Sequence, residues 1–175
     1  MSPGVPVLVI TGTMGSGKTT MLGEASDLLT TRGIAHAAVD LDALGMGHLP
    51  EPAHDLPYRN LSSVWQNYAA AGAARVLIAE AVEHAGELDR IRESVPGARI
   101  IVCRLTAPLA TMRRRVSQRE PGLGHDAFVR RVAELEAVID AARVEDFSLV
   151  TDEGRSITDV ALEMLASANW IPRPH

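Results

Sequence analysis

Short apolar blocks alternate along the chain with longer stretches in which apolar residues recur every three or four positions. The first block, Val5-Pro6-Val7-Leu8-Val9-Ile10-Thr11, is rich in β-branched residues and stops at glycines, as a strand buried on both faces does. From Lys18 to Arg32, Met21, Leu22, Ala25, Leu28 and Leu29 recur at helical spacing, and Gly33 supplies the stop. The alternation then repeats. It predicts strands over 34–41, 75–79, 99–105 and 147–151, and helices over 61–71, 87–94, 108–119, 126–142 and 157–168. An irregular stretch rich in Gly, Pro and His fills 45–57. Such an order calls for an α/β fold, a parallel sheet covered on both faces and joined by right-handed crossovers. With no repeat or long linker before the Pro-rich tail Ile171-Pro172-Arg173-Pro174-His175, one domain over 1–175 is expected.

Between the first strand and the first helix lies Gly12-Thr13-Met14-Gly15-Ser16-Gly17-Lys18-Thr19, which fits G-x-x-x-x-G-K-[ST] without a departure. Gly12, Gly15 and Gly17 allow backbone angles closed to other residues, so successive N–H groups can point into one concavity at a helix N-terminus. Phosphate fits there. Lys18 can reach the terminal phosphates, the Thr19 hydroxyl can ligate Mg2+ carried by the nucleotide, and Thr20 either touches a phosphate further back or helps start the helix. Gly12, Met14, Gly15, Ser16, Gly17, Lys18, Thr19 and Thr20 are therefore the expected nucleotide-binding residues, with ATP and Mg2+ as cofactors.

Composition narrows the partners. Aromatic residues are only 3% of the chain against 46% hydrophobic, so an aliphatic core is expected. A net charge of -5 offers no basic field for nucleic acid. The sole cysteine, Cys103, sits in Ile100-Ile101-Val102-Cys103 and reads as a buried structural thiol. No apolar run nears the roughly 20 residues that span a bilayer, and Met1-Ser2-Pro3-Gly4 lacks a basic flank, which points to a cytoplasmic protein, monomer or homodimer.

In open sheets of this kind, chemistry collects just beyond the carboxyl ends of the strands. Asp40-Leu41-Asp42 ends the second strand, where side-chain alternation would turn both carboxylates toward the phosphate loop. One can hold Mg2+ through water while the other accepts the proton of a substrate hydroxyl. Arg113, Arg114, Arg115 and Arg119 follow the fourth strand, and Arg115 and Arg119 share a helix face, placed to cover transferring phosphate when a flap closes. No Asn-Lys-x-Asp guanine-reading tetrapeptide occurs, and the third strand ends at Glu80 without a following Asp. Met46 to Pro50 and Tyr58 to Asn60, with Trp65 and Tyr68, are candidates for an acceptor pocket, although Trp65 and Tyr68 serve equally well as core. Arg59 is the candidate for an anionic group on the acceptor, and His48 and His54 read as loop residues.

On these motifs the sequence resembles the small P-loop kinases of metabolites and antibiotics: gluconate kinase, shikimate kinase, adenylylsulfate kinase and chloramphenicol phosphotransferase. The resemblance runs over nearly the whole chain in element order and rests on the phosphate loop, on Asp40 and Asp42, and on Arg115-Val116-Ser117-Gln118-Arg119. It implies a three-layer P-loop NTPase fold with a five-stranded parallel sheet in the order 2-3-1-4-5 and a lid at about 119–126. It also implies Asp42 at the substrate hydroxyl, Asp40 nearer Mg2+, Arg119 in the lid, Arg115 near adenine and phosphates, and Asp152-Glu153-Gly154-Arg155 beside adenine. Glu80-Ala81-Val82 stands where shikimate kinases carry three glycines, which argues against shikimate. The expected activity is transfer of the γ-phosphoryl group of ATP to a hydroxyl of a small molecule, catalysed by Lys18, Asp42 and Arg119. A nucleoside or nucleotide kinase and a non-enzymatic nucleotide-dependent binding module are the competing readings.

Overall fold

The computed structural model describes residues 4–152 and 154–173. The expected role of Glu153 beside adenine, the first three residues and the last two of the Pro-rich tail lie outside them.

Five strands make one sheet: β1 (Val5–Thr11), β2 (Ala37–Asp40), β3 (Val76–Ala79), β4 (Ala98–Thr106) and β5 (Phe147–Val150). Their order is β2-β3-β1-β4-β5 and every pairing is parallel, as expected. Alternation along β1 divides the core. Leu8 and Ile10 face a cluster built with Met21, Leu22, Ala25 and Leu29 of α1 (Lys18–Thr31) and with Val160, Ala161, Met164 and Leu165 of α7 (Ile157–Ser167). Val7 and Val9 face Tyr58, Leu61 and Trp65 of α3 (Leu56–Ala70) and Leu88 and Ile91 of α4 (Ala85–Ser94). Both clusters are largely aliphatic, and Cys103 is buried in the first, where loss of hydration pushes its thiol up to about 12.

The remaining helices flank the carboxyl end of the sheet: α2 (Leu41–Leu44), α5 (Leu109–Arg119) and α6 (His125–Ala142). Arg104, near the end of β4, holds α6 in place. Its guanidinium is 6% exposed and meets Glu136 at 2.7 Å and Asp140 at 2.9 Å on that helix, with Glu145 at 3.5 Å beyond it.

Two boundaries differ from the expected ones in ways that matter for the site. β2 begins at Ala37 rather than Ile34 and ends at Asp40, whose side chain accepts from the Ala43 N–H at 3.4 Å and starts α2. Asp42 is therefore a helical residue. The two carboxylates are brought together by an N-cap geometry, not by strand alternation. α3 begins at Leu56, five residues before the predicted start, because Pro57 sits in its first turn, where proline's missing N–H costs nothing.

Candidate functional site

The phosphate loop is built as its glycines require. Gly12, Gly15 and Gly17 have φ of 147°, 79° and 98°, all in the positive region that side chains avoid. Space is also closed: a Cβ on Gly12 would meet the Leu105 carbonyl oxygen and one on Gly15 the Met112 carbonyl oxygen. Neighbouring elements lock the loop from behind. The Thr13 hydroxyl donates to the Val132 carbonyl of α6 at 3.3 Å, and Met14 packs with Met112, Val116 and Val132. The Thr151 hydroxyl donates to the Ser16 carbonyl at 2.7 Å. Arg115 donates to the Gly15 carbonyl at 3.1 Å and to the Thr151 carbonyl at 2.8 Å, so α5, the loop and the end of β5 form one brace.

Two features of this loop fit a polyanion. Its first-turn amides in α1 precede the point where helical bonding begins, and the N-cap Gly17 leaves them facing outward without a capping side chain. The Ser16 hydroxyl oxygen is buried and has no hydrogen-bond partner, the condition of a polar atom placed for a ligand. Lys18 bends back over the loop, its Nζ donating to the Gly12 carbonyl at 2.8 Å and more weakly to that of Thr13 at 3.4 Å. Burial holds its pKa below the usual lysine range, opposed by Asp42 and Asp40, and Arg119 adds to the lowering. The same interactions place Lys18, both carboxylates and Arg119 in one electrostatic neighbourhood.

On the β2 side, the Thr19 hydroxyl donates to Asp40 Oδ2 at 3.0 Å, which pairs the two oxygens expected to serve Mg2+. A hard cation that keeps several waters and binds substrate phosphates needs only such a sparse protein contribution. Asp42 is open to solvent on one side. Lost hydration on the other raises its pKa, Lys18 opposes the rise, and Asp40 and Glu83 add to it.

Glu80 is a buried carboxyl just past the end of β3. It leaves β3 between the phosphate loop and the β2 exit, only 7% exposed. Tyr58 donates to its Oε1 at 2.6 Å, while Oε2 is buried without a partner. Burial pushes the carboxyl up to about 8; the Tyr58 hydroxyl and Arg90 lower it, Glu87 and Asp42 raise it. Its position one residue past a strand end was visible in the sequence, whereas the tyrosine that holds it, 22 residues earlier, was not.

Behind the phosphate loop two hollows adjoin. One of about 240 Å³ is lined by Thr20, Arg115, Asp152, Arg155, Ile157 and Val160, and one of about 270 Å³ reaches Arg119. Arg115, Arg119 and Arg155 thus all border the space beside the loop, with Arg155 also paired to Glu163. A larger hollow of about 470 Å³ lies against α7, between Asp159 and Arg173, and includes no phosphate-loop residue.

Two expected acceptor residues are not brought to this site. Trp65 is buried in the core between α3 and the sheet, one helical turn after Leu61 and two after Tyr58, where packing uses it fully. Arg59 points outward, its side chain 72% exposed beside Asp55 at 4.0 Å, and lines a shallow hollow between α3 and α4. One residue past the buried Tyr58, it is turned about 100° around the helix axis. Tyr68 is likewise exposed.

No family model matches the chain. No curated protein does either. Solved structures do, across nearly its whole length. An unliganded sugar kinase from Janibacter sp. HTCC2649 aligns with a TM-score of 0.65 at 22% identity, over 99% of this chain and 100% of its own. The tunicamycin resistance protein of Deinococcus radiodurans aligns at 0.63 and 18% identity, over 98% and 99%. The APS kinase of Mycobacterium tuberculosis, solved with AMPPNP and APS, aligns at 0.62 and 21% identity, over 97% and 99%. At such identities the likeness speaks for the backbone, not the substrate. With its five-stranded parallel sheet in the order 2-3-1-4-5 and its glycine loop ahead of α1, the chain has the fold of the small P-loop kinases.

Proposed function

We propose that the protein transfers the γ-phosphoryl group of ATP to a hydroxyl of a small molecule. The observation that carries this reading is the placement of Lys18 between the phosphate-loop carbonyls and the Asp40–Asp42 pair, with Thr19 bonded to Asp40. A mere nucleotide-holding loop needs no second carboxylate. Asp42, open on one side and facing Lys18, is the group left to act on an acceptor.

In this reading the triphosphate lies across the amides of Gly15 to Thr20, with Lys18 released from the Gly12 carbonyl to the β- and γ-phosphates. Adenine occupies the hollow between Arg115 and Ile157, bordered by Asp152 and Arg155. Thr19 and Asp40 would hold Mg2+, which would supply charge neutralisation at the phosphates. Asp42 orients the acceptor hydroxyl and takes its proton as the new O–P bond forms and the bond from the γ-phosphorus to the bridging oxygen breaks. Arg119, at the start of a lid over 119–126, covers the transferring group from the nucleotide side.

The test is ADP release from MgATP by the wild type and Asp42→Asn across sugars, polyols, nucleosides, adenylylsulfate and hydroxylated antibiotics. Turnover stimulated by an acceptor and reduced about 10²-fold or more in Asp42→Asn supports the assignment. Slow, acceptor-independent hydrolysis equal in both proteins supports a nucleotide-dependent binding module instead.

A further inference from the structure

At the amino ends of the strands, the pole of the sheet opposite the phosphate loop, lies a hollow of about 330 Å³ whose lining includes Pro6, Arg75, Arg99, Ile101, Ala168 and Trp170. Register explains how it forms. Val7 is aligned with Val76 on β3 and Pro6 with Arg99 on β4, so Arg75, Pro6 and Arg99 make one row across three parallel strands. The Arg75 carbonyl accepts from the Ala37 N–H at 2.9 Å, which keeps its backbone in that row. Residues of one row point to the same side of a sheet. This row lies one step from Val7 and two from Leu8, and so faces the α1 and α7 side with Leu8 and Ile101.

Side-chain lengths in the row run long, short, long. Arg75 and Arg99 stand two strand spacings apart, about 10 Å, and the small ring of Pro6 between them does not fill the gap. Trp170 forms the wall. It is only 7% exposed, packed into the core between α1 and α7, with the Arg75 guanidinium 5.2 Å over its ring. The turn that ends α7 fixes it there: the Asn169 N–H donates to the Ala166 carbonyl at 3.0 Å and the Trp170 N–H to the Leu165 carbonyl at 2.8 Å. Those bonds occupy carbonyls of the last helical turn, and neither arginine is spent on them.

Among the described residues, neither guanidinium has a hydrogen-bond or ion-pair partner, and no aspartate or glutamate lines the hollow. In a chain of net charge -5, the recess is a local reversal of sign. Arg75 is half-buried, and its Nε is shielded from water with no acceptor in the protein. A cation already stripped of part of its hydration gains most from a counter-ion. Arginine stems on a surface ordinarily lie down over apolar neighbours. Here they leave Pro6, Ile101 and the Trp170 ring bordering an open recess between them.

We propose that this hollow is a second binding site, for a small organic anion with a flat apolar body. Its carboxylate or phosphate lies between Arg75 and Arg99, and its body rests against Ile101, Ala168 and Trp170. Arginine forks match the oxygens of either group, and the volume suits a molecule of about one ring. About 20 Å of extended chain separates Pro6 from Gly12, so the site is distinct from that of the nucleotide and stands whether or not the protein is a phosphotransferase.

The experiment titrates the protein with benzoate and phenyl phosphate, and with benzyl alcohol, benzylamine and inorganic phosphate as controls, by calorimetry and tryptophan emission, with and without MgADP. Trp65 lies on the other face of the sheet, so a change in emission reports Trp170. At least one aryl anion should bind about tenfold or more tighter than the alcohol, the amine and inorganic phosphate, change the emission, and do so equally in MgADP. Arg99→Gln, at an exposed position that folding does not need, should weaken it about tenfold, and Arg75→Gln should do the same. A preference for benzoate or for phenyl phosphate identifies the anionic group, and either supports the site. Equal binding of the uncharged or cationic ring, inorganic phosphate matching phenyl phosphate, displacement by MgADP, or an affinity unchanged in Arg99→Gln would each overturn the proposal. So would the absence of saturation by any probe up to about 10 mM.

Discussion

Replacing Glu80 by Gln changes the pH dependence of stability by an amount the structure sets. The carboxyl has an ordinary value of 4.5 and is pushed up to about 8, chiefly by burial. The folded protein therefore binds this proton more tightly than the unfolded chain does. Below pH 4.5 both states hold the proton and burial of the carboxyl carries no ionisation cost. Between 4.5 and 8 the unfolded state has released it and the folded state has not, so stability falls as pH rises, by about 1.4 kcal/mol per pH unit. Over the whole interval the loss is on the order of 5 kcal/mol. Gln has the shape of the neutral acid, accepts from Tyr58 in the same way and does not titrate. Its buried NH2 adds a roughly constant penalty of about 1–3 kcal/mol. Urea unfolding of both proteins at pH 5, 7 and 9 isolates the effect, because all other titrating groups are common to them. The difference in unfolding free energy should move in favour of the variant by about 4 kcal/mol from pH 5 to 9, or roughly 8–16 °C in Tm. Parallel curves would refute the claim that Glu80 is a buried carboxyl with a free oxygen.

Three further outcomes follow from other parts of the structure. Lys18 is the only lysine in the sequence, so an amine-reactive acylating reagent should mark only it and the N-terminus, and MgATP should slow its labelling at least tenfold by mass spectrometry. Equal labelling with and without nucleotide would remove Lys18 from the phosphate site. Arg104→Met leaves the partly buried carboxylates of Glu136 and Glu145 without their cation and should destabilise the fold by about 2–3 kcal/mol in chemical denaturation. Thr151→Val cuts the bond to the Ser16 carbonyl and loosens the Arg115 brace; a several-fold rise in the Kd for MgATP measured calorimetrically is expected, and an unchanged Kd would show that the loop holds its shape alone.

Much of this architecture is legible in the sequence because it is local. The β-branched run before Gly12 and the helical period after Lys18 are enough to put the phosphate loop on a strand–helix junction, and the alternation of blocks recovers all five strands of the parallel sheet. Where the reading failed, short-range cues pointed two ways. Asp40 suits a strand end and an N-cap equally, so the single turn of α2 was hidden and the Asp40–Asp42 pair was placed by the wrong geometry. Pro57 in a stretch of Gly, Pro and His suggested a loop, although proline is tolerated in a helix's first turn. Arg59 and Trp65 could have been sorted by phase, since Tyr58, Leu61 and Trp65 mark the buried stripe of α3 and Arg59 falls off it. Other features had no local signal. The bonds of Arg115 to Gly15 and of Thr151 to Ser16 join residues 100 and 135 positions apart, and the pairing of Tyr58 with Glu80 depends on how α3 lies across the sheet.

The central claim is that a phosphoryl group leaves ATP for a hydroxyl and that Asp42 attends that hydroxyl. Phosphorus-31 NMR of MgATP turnover with a stimulating acceptor tests it most directly. A new phosphate monoester resonance growing in step with ADP, present with the wild type and suppressed about 10²-fold or more in Asp42→Asn, is the predicted result. Inorganic phosphate as the sole product, formed at equal rates by both proteins, would contradict it.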